Sequence, residues 1–237
     1  MSWRKKLREF LDKTGKGLIV SCQSEKGTPF HRADFMVAFA LAAEMGGAVG
    51  IRTNGPRYVR AIKKAVGLPI IGIYKRLYPG YDVYITPTKR EAEAVARAGA
   101  DVIAIDATLR PRPKNTDLQK LIHYIKEELG LPVMADISTL EEALRALELG
   151  ADIVATTLSG YTEYTKDRLK KGPDLELVKS IAEEVKAPVI AEGRYWYPSE
   201  VCEALKAGAH AVVVGTAITR PHKVIERFVQ EIKKQLT

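Results

Sequence analysis

Short apolar runs separated by longer amphipathic stretches recur from one end of the chain to the other. Eight such runs are Gly17–Ser21, Ala48–Arg52, Ile70–Tyr74, Val102–Asp106, Val133–Asp136, Ile153–Ala155, Val189–Glu192 and Ala211–Val214. Each is apolar on both faces, which predicts strands of a parallel sheet covered on either side by helices. The stretches between them carry helical patterns. In Thr139–Leu149, Thr139 and Glu142 have the spacing of a capping box, in which each side chain satisfies the other residue's backbone N–H.

The punctuation is regular. Gly46-Gly47-Ala48-Val49, Gly99-Ala100-Asp101-Val102, Gly150-Ala151-Asp152-Ile153 and Gly208-Ala209-His210-Ala211 each end a helical pattern and open a strand, their first glycines lying 53, 51 and 58 residues apart. Glycine suits the residue just past a helix end because it takes left-handed backbone angles without a Cβ clash. Leu68-Pro69-Ile70, Leu131-Pro132-Val133 and Ala187-Pro188-Val189 mark the intervening boundaries. Eight strand–helix units with no linker composition predict one (β/α)₈ TIM barrel over residues 1–237, with a helix ahead of the first strand. An open doubly wound sheet is the alternative. It would carry a glycine-rich turn after its first strand, where this chain has Ser21-Cys22-Gln23-Ser24-Glu25.

Composition narrows the function classes. The net charge of +8 comes from 37 basic residues mixed among 29 acidic ones, without a basic block. This reads against nucleic acid as a partner and in favour of a small anionic substrate. No apolar run approaches the roughly 20 residues of a membrane span, and no apolar stretch follows Met1-Ser2-Trp3-Arg4-Lys5-Lys6; the expectation is a cytoplasmic protein with no membrane partner. Two cysteines make no disulfide framework, and Cys22 reads as packing. His31, His123, His210 and His222 have no metal-ligand spacing, which reads against a zinc or di-metal hydrolase.

In a barrel of this kind the chemistry sits at the C-terminal strand ends. There the chain places Gln23, Arg52, Lys75, Asp106, Asp136, Thr156, Glu192 and Arg194, followed by Gly215-Thr216. The seventh and eighth loops, with Gly193, Gly215, Thr216 and Arg220, have the makings of a phosphate anchor: glycines let backbone N–H groups approach an anion, and Arg220 adds a charge. Lys75 follows four apolar residues and lies one strand from Arg52. Desolvation and like charge both lower an amine's pKa, which suits a general base or a Schiff-base former. Glu192 and Asp136 are candidates for a second acid–base group and for orienting a hydroxyl; Asp106 reads equally as a carboxylate holding Arg110-Pro111-Arg112. The segment Leu77–Pro87, with Tyr78, Tyr81 and Tyr84, reads equally as a lid over the mouth and as an inert insertion.

These segments together resemble the N-acetylmannosamine-6-phosphate 2-epimerases over nearly the whole length. They include Ser21-Cys22-Gln23, Val49-Gly50-Ile51-Arg52, Ile71-Gly72-Ile73-Tyr74-Lys75, Arg110-Pro111-Arg112-Pro113, Met134-Ala135-Asp136-Ile137-Ser138-Thr139, Ala191-Glu192-Gly193-Arg194 and Val214-Gly215-Thr216-Ala217-Ile218-Thr219-Arg220-Pro221. The resemblance implies interconversion of the 6-phosphates of N-acetylmannosamine and N-acetylglucosamine, a step in sialic acid breakdown, without a cofactor. It makes Lys75 the catalytic base and Glu192 its partner carboxylate. Gln23, Arg52, Asp136 and Arg220 become substrate contacts, with Arg194 beside them. Two rivals predict different behaviour: a lyase or synthase in which Lys75 forms a Schiff base, and a sugar-phosphate sensor without turnover. A homodimer is expected, with the last helix's stripe of Val224, Ile225, Phe228 and Ile232 or the Trp3 helix as its surface.

Overall fold

The structure, a computed structural model, describes residues 2–236. Strands β1 (Leu18–Cys22), β2 (Gly50–Asn54), β3 (Ile70–Ile73), β4 (Val102–Asp106), β5 (Val133–Asp136), β6 (Ile153–Ala155), β7 (Val189–Glu192) and β8 (Ala211–Val214) pair in sequence order, all parallel. Strand β8 returns to β1 through Val20 and Val214, closing the barrel. Helices α1 (Trp3–Thr14), α2 (Ala33–Met45), α3 (Pro56–Lys63), α4 (Lys89–Ala98), α5 (Leu118–His123), α6 (Leu140–Glu148), α7 (Leu175–Glu184), α8 (Pro198–Lys206), α9 (Thr216–Thr219) and α10 (Pro221–Leu236) complete the chain.

The five strands from β4 to β8 fall where the apolar runs place them; β1, β2 and β3 differ at their ends. The shift in β2 has a consequence. Arg52 is the middle residue of that strand rather than its last, so its side chain lies inside the barrel and is only 1% exposed.

Barrel strands alternate residues between the interior and the helices. Interior residues Ile19, Ile71, Val102, Met134, Ile153, Ile190 and Ala211 form one apolar cluster, and Ile73, Ala104, Ala155 and Val213 lie two positions further along their strands. Continuing the same alternation reaches Lys75, Asp106, Asp136, Thr157, Glu192 and Gly215. The interior is thus apolar at its floor and becomes polar at its C-terminal rim. The opposite faces of the strands meet the surrounding helices in a second, larger core.

Helix α1 is a plug. Phe10, Leu7 and Leu11 pack against the interior cluster, closing the N-terminal end of the barrel. Trp3 is also occupied within the chain, its Nε1 donating to Glu127 at 3.2 Å while the Lys126 amine sits 3.9 Å over its ring. Helices must also lie close against the strands. At Gly72 in β3 an added Cβ would come within 2.7 Å of the Ala100 side chain, which explains a glycine inside an apolar strand.

The capping box at Thr139 and Glu142 forms, and Glu142 does more than cap. It is fully buried, accepts Ser138 N–H at 2.7 Å and Leu109 N–H at 3.0 Å, and receives the Tyr164 hydroxyl. One carboxylate therefore ties together the loops that follow β4, β5 and β6.

Candidate active site

A cavity of about 410 Å³ opens at the C-terminal rim. Lys75, Arg52 and Gln23 border it from the first three strands, Thr157 and Glu192 from β6 and β7, and Gly215, Thr216 and Arg220 from beyond β8. The expected site residues thus converge from separate strands, with two exceptions in depth. Asp136 is fully buried beneath the cavity floor and meets it through Arg52 and Thr157. Asp106 is also fully buried and is bound to Thr108 and to Arg110 at 2.8 Å, while its carbonyl accepts from Arg112. Of its two readings, the carboxylate that holds the Arg110–Arg112 loop is the one its partners match.

The floor is a charged cluster. Arg52 donates through Nη1 and Nη2 to the two oxygens of Asp136, at 3.0 and 2.6 Å, a bidentate pair that matches guanidinium to carboxylate geometry. Its Nη1 also lies 2.9 Å from Glu192 Oε2. The Thr157 hydroxyl is 2.7 Å from Asp136 Oδ1 and 3.1 Å from Glu192 Oε2. One guanidinium faces two carboxylates, and burial opposes ionisation. Desolvation pushes the Glu192 carboxyl up to about 7; the Arg52 charge opposes the rise and the Asp136 charge adds to it.

Lys75 stands above this floor. Its backbone N–H is fixed by Asn54 Oδ1 at 2.8 Å, while its amine has no hydrogen-bond or ion-pair partner among the described residues. Burial first, and the Arg52 charge second, bring that amine down to about 8 against the opposing pull of Glu192. The closest ring is Tyr84, its centroid 5.9 Å from Nζ.

Tyr84 belongs to the tyrosine-rich segment, which forms a folded flap. Lys75 and Ile85 pair as an antiparallel bridge, as do Tyr78 and Tyr81 around the turn at Gly80. Arg76 N–H donates to the Tyr84 carbonyl at 2.9 Å, and the Tyr78 hydroxyl donates to the buried Glu91 of α4 at 3.0 Å. Tyr84 and Ile85 thereby wall the cavity on its β3 side.

The opposite side holds the residues expected to anchor an anion. Gly193 has φ +116°, a conformation that side-chain-bearing residues avoid, and it turns the chain past Glu192. Beyond β8, Ile218 and Thr219 donate to the Gly215 carbonyl, leaving the Thr216 and Ala217 N–H groups without an acceptor among the described residues. Helix α9 is a single turn, so what it presents is a pair of free amides rather than the end of a long helix. Arg220 borders the cavity and is steadied by Glu25 at 2.8 Å. Arg194 borders it too, but its Nε and Nη1 donate to the Gly172 and Ser159 carbonyls, so most of its guanidinium holds the loop after β6. Gln23 borders the cavity, donates to Ser21 Oγ at 2.8 Å and keeps its buried Oε1 without a hydrogen-bond partner among the described residues.

Two cavity-lining positions are not found from strand ends alone. Just past β6, Thr157, not Thr156, points to the interior; Thr156 faces β7, where its hydroxyl donates to the Glu192 carbonyl at 3.1 Å and accepts the Glu192 N–H at 3.0 Å. The interior alternation Ile153–Ala155–Thr157 is the signal that finds it. Trp196 borders the cavity and carries Arg227 of α10 over its ring at 4.8 Å. Nothing in its local sequence marks it.

Among the described residues no cluster of three or more His, Cys, Asp or Glu side chains forms a metal site, and no helix is long and apolar enough to cross a membrane. Residues 36–234 match the family described as "Putative N-acetylmannosamine-6-phosphate epimerase" (NanE). A relative from Caldanaerobacter subterraneus is 50% identical over 96% of this chain and 95% of its own, and one from Clostridioides difficile is 49% identical over 94% and 99%; both bear the corresponding 2-epimerase name. A solved structure described as the N-acetylmannosamine-6-phosphate 2-epimerase from Clostridium perfringens superposes with a TM-score of 0.89 at 44% identity, covering 93% of this chain and 95% of that one. Matched in sequence and in backbone along nearly its full length, this chain belongs to the N-acetylmannosamine-6-phosphate epimerase family.

Proposed function

We propose that this protein interconverts N-acetylmannosamine 6-phosphate and N-acetylglucosamine 6-phosphate by moving a proton at C2, as in sialic acid breakdown. The observation that carries this reading is the Lys75 amine: unpaired, largely desolvated, and in the same cavity as the Thr216–Arg220 anchor. The phosphate sits on the Thr216 and Ala217 amides with Gly193, Gly215 and Arg220 around it. Binding there offsets the cost of aligning the opened sugar. Once the ring opens, C1 is an aldehyde and the C2 hydrogen becomes acidic. Neutral Lys75 removes it, and Arg52 beneath the cavity stabilises the negative charge that develops. Protonated Glu192 returns a proton to the other face, inverting C2. Gln23 offers its free Oε1 to a hydroxyl or amide of the substrate, Arg194 lends its remaining Nη2, and Asp136 acts by fixing Arg52.

The reading assigns opposite protonation states to the two groups. Lys75 works as the free amine, present above about pH 8, and Glu192 as the acid, present below about pH 7. The product of those fractions is a bell, so kcat/KM should peak between pH 7 and 8, with the two limbs belonging to the coupled pair. A profile that climbs without falling to pH 10 would remove Glu192 as the acid. The activity itself is tested by incubating the purified protein with N-acetylmannosamine 6-phosphate and following the C2 epimer by proton NMR. Binding without conversion is the result for a sensor, and an adduct on Lys75 trapped by borohydride is the result for the Schiff-base chemistry.

The protein is further proposed to be a cytoplasmic homodimer. None of the α10 residues described is buried, and Ile225, Phe228 and Ile232 are each more than half exposed along one stripe. Helix α1, by contrast, uses its apolar face to plug the barrel. Sedimentation equilibrium at micromolar concentration should give twice the chain mass, and Phe228→Glu should return the monomer.

A further inference from the structure

We infer that Thr157 is a positioning residue that accepts the proton of Glu192 while donating its own to Asp136, and so fixes which Glu192 oxygen carries the hydrogen. A threonine hydroxyl has one hydrogen and two acceptor lone pairs. The Thr157 oxygen lies within bonding distance of two carboxylate oxygens, 2.7 Å from Asp136 Oδ1 and 3.1 Å from Glu192 Oε2. With both acids ionised, its single hydrogen serves one of them, and the other approaches lone pair to lone pair. The shorter contact is to Asp136, the acid that already accepts both aligned Arg52 hydrogen bonds and is therefore the better place for the negative charge. Arg52 meets Glu192 Oε2 at 2.9 Å as an ion pair only. A hydrogen on Oε2 completes the set: Glu192 donates to Thr157, and Thr157 donates to Asp136.

The arrangement also sets direction. Glu192 Oε1 has no hydrogen-bond partner among the described residues, whereas Oε2 is held against Arg52 and Thr157. The chain Glu192–Thr157–Asp136 holds the proton on the inner oxygen, and delivery to a substrate in the cavity then requires the carboxyl to turn that oxygen outward. The charged and titratable groups around Glu192 are Arg52 on β2, Lys75 after β3 and Asp136 on β5, with Tyr84 of the flap facing Arg52 and Asp136. Thr157 is the one neutral hydroxyl between the two acids.

The catalytic consequence rests on the proposed role of Glu192; the hydrogen-bond direction does not, and the two are separable by experiment. The Glu192 carboxyl is titrated by carbon-13 NMR in wild type and in Thr157→Val, its resonance assigned by its loss in Glu192→Gln. Removing an acceptor of the Glu192 proton destabilises the protonated form. The expected result is a fall of about one pKa unit in Thr157→Val, the size of one hydrogen bond between neutral groups. Thr157→Ser, which keeps the hydroxyl, should return the midpoint towards wild type, and Thr157→Ala repeats the test should valine disturb folding. A midpoint that rises or stays put overturns the inference, because it means that the hydroxyl donates to Glu192 or bonds elsewhere. In Thr157→Val and Thr157→Ala, but not in Thr157→Ser, kcat should fall roughly tenfold with KM nearly unchanged, and the acid-side group of the pH profile should move with the NMR midpoint. Should Glu192→Gln turn over like wild type, the acid role proposed above fails while the titration still decides the hydrogen bond.

Discussion

Lys75→Ala should lose about a thousandfold in kcat, the usual scale for removing a positioned general base, while still binding inorganic phosphate at near wild-type affinity. The split follows from the layout of the cavity. The amine is at the β3 side under the tyrosine flap, whereas the proposed anion anchor lies on the β7 and β8 loops. Alanine removes a cation from a pocket that also holds Arg52 and Arg220, so the anchor loses long-range attraction only. The barrel should stand unaffected, since the Lys75 backbone N–H keeps its bond to Asn54 and its bridge to Ile85. Turnover of Lys75→Ala at a tenth of the wild-type rate or faster contradicts the assignment of the base, as does an equal loss in phosphate affinity.

Arg52→Met should cost stability as much as activity. The substitution matches the volume of the arginine stem but leaves Asp136 and Glu192 facing each other across Thr157 with no cation between them. Removing one partner of a buried charged set costs about 3–5 kcal/mol. In a chain of this size that is on the order of 10 °C in Tm. The deficit should depend on pH with a definite sign. Two unpaired carboxylates repel, which raises their folded-state pKa above the unfolded value, so ionising them in the fold is what costs stability. The variant should therefore lie furthest below wild type in alkaline buffer and recover part of the difference near pH 5, where a shared proton relieves the repulsion. Calorimetry at both pH values reads this directly. An Arg52→Met protein as stable as wild type at pH 8 contradicts the description of the floor as an ion-paired cluster.

Much of this architecture was legible in the chain because its strands are buried on both faces and bounded by glycine or proline. From Val102 onward the apolar runs coincide with the strands. Earlier the ends drift: Arg52 reads as a terminal residue, yet the strand runs on through Thr53 and Asn54. A shift of two residues lowers a side chain from the mouth to the floor, where Arg52 both borders the cavity and centres an ion cluster. Thr156 and Thr157 show the same sensitivity, since neighbouring strand positions face opposite ways. A polar strand end locates the rim; only the parity of the interior residues, Ile71–Ile73–Lys75 or Ile153–Ala155–Thr157, assigns the side. Lys75, Glu192 and Gln23 satisfy both criteria and stand out from sequence. Contacts made across the fold leave no local trace. Arg194 is tied to carbonyls of Ser159 and Gly172, and Trp196 is covered by Arg227 from the last helix.

The account depends on a carbon-bound hydrogen leaving C2 and being replaced from the protein. Wild-type enzyme in D₂O, given N-acetylmannosamine 6-phosphate and stopped early, should yield N-acetylglucosamine 6-phosphate carrying one deuterium at C2, read by NMR. Product that retains its original C2 hydrogen would contradict it.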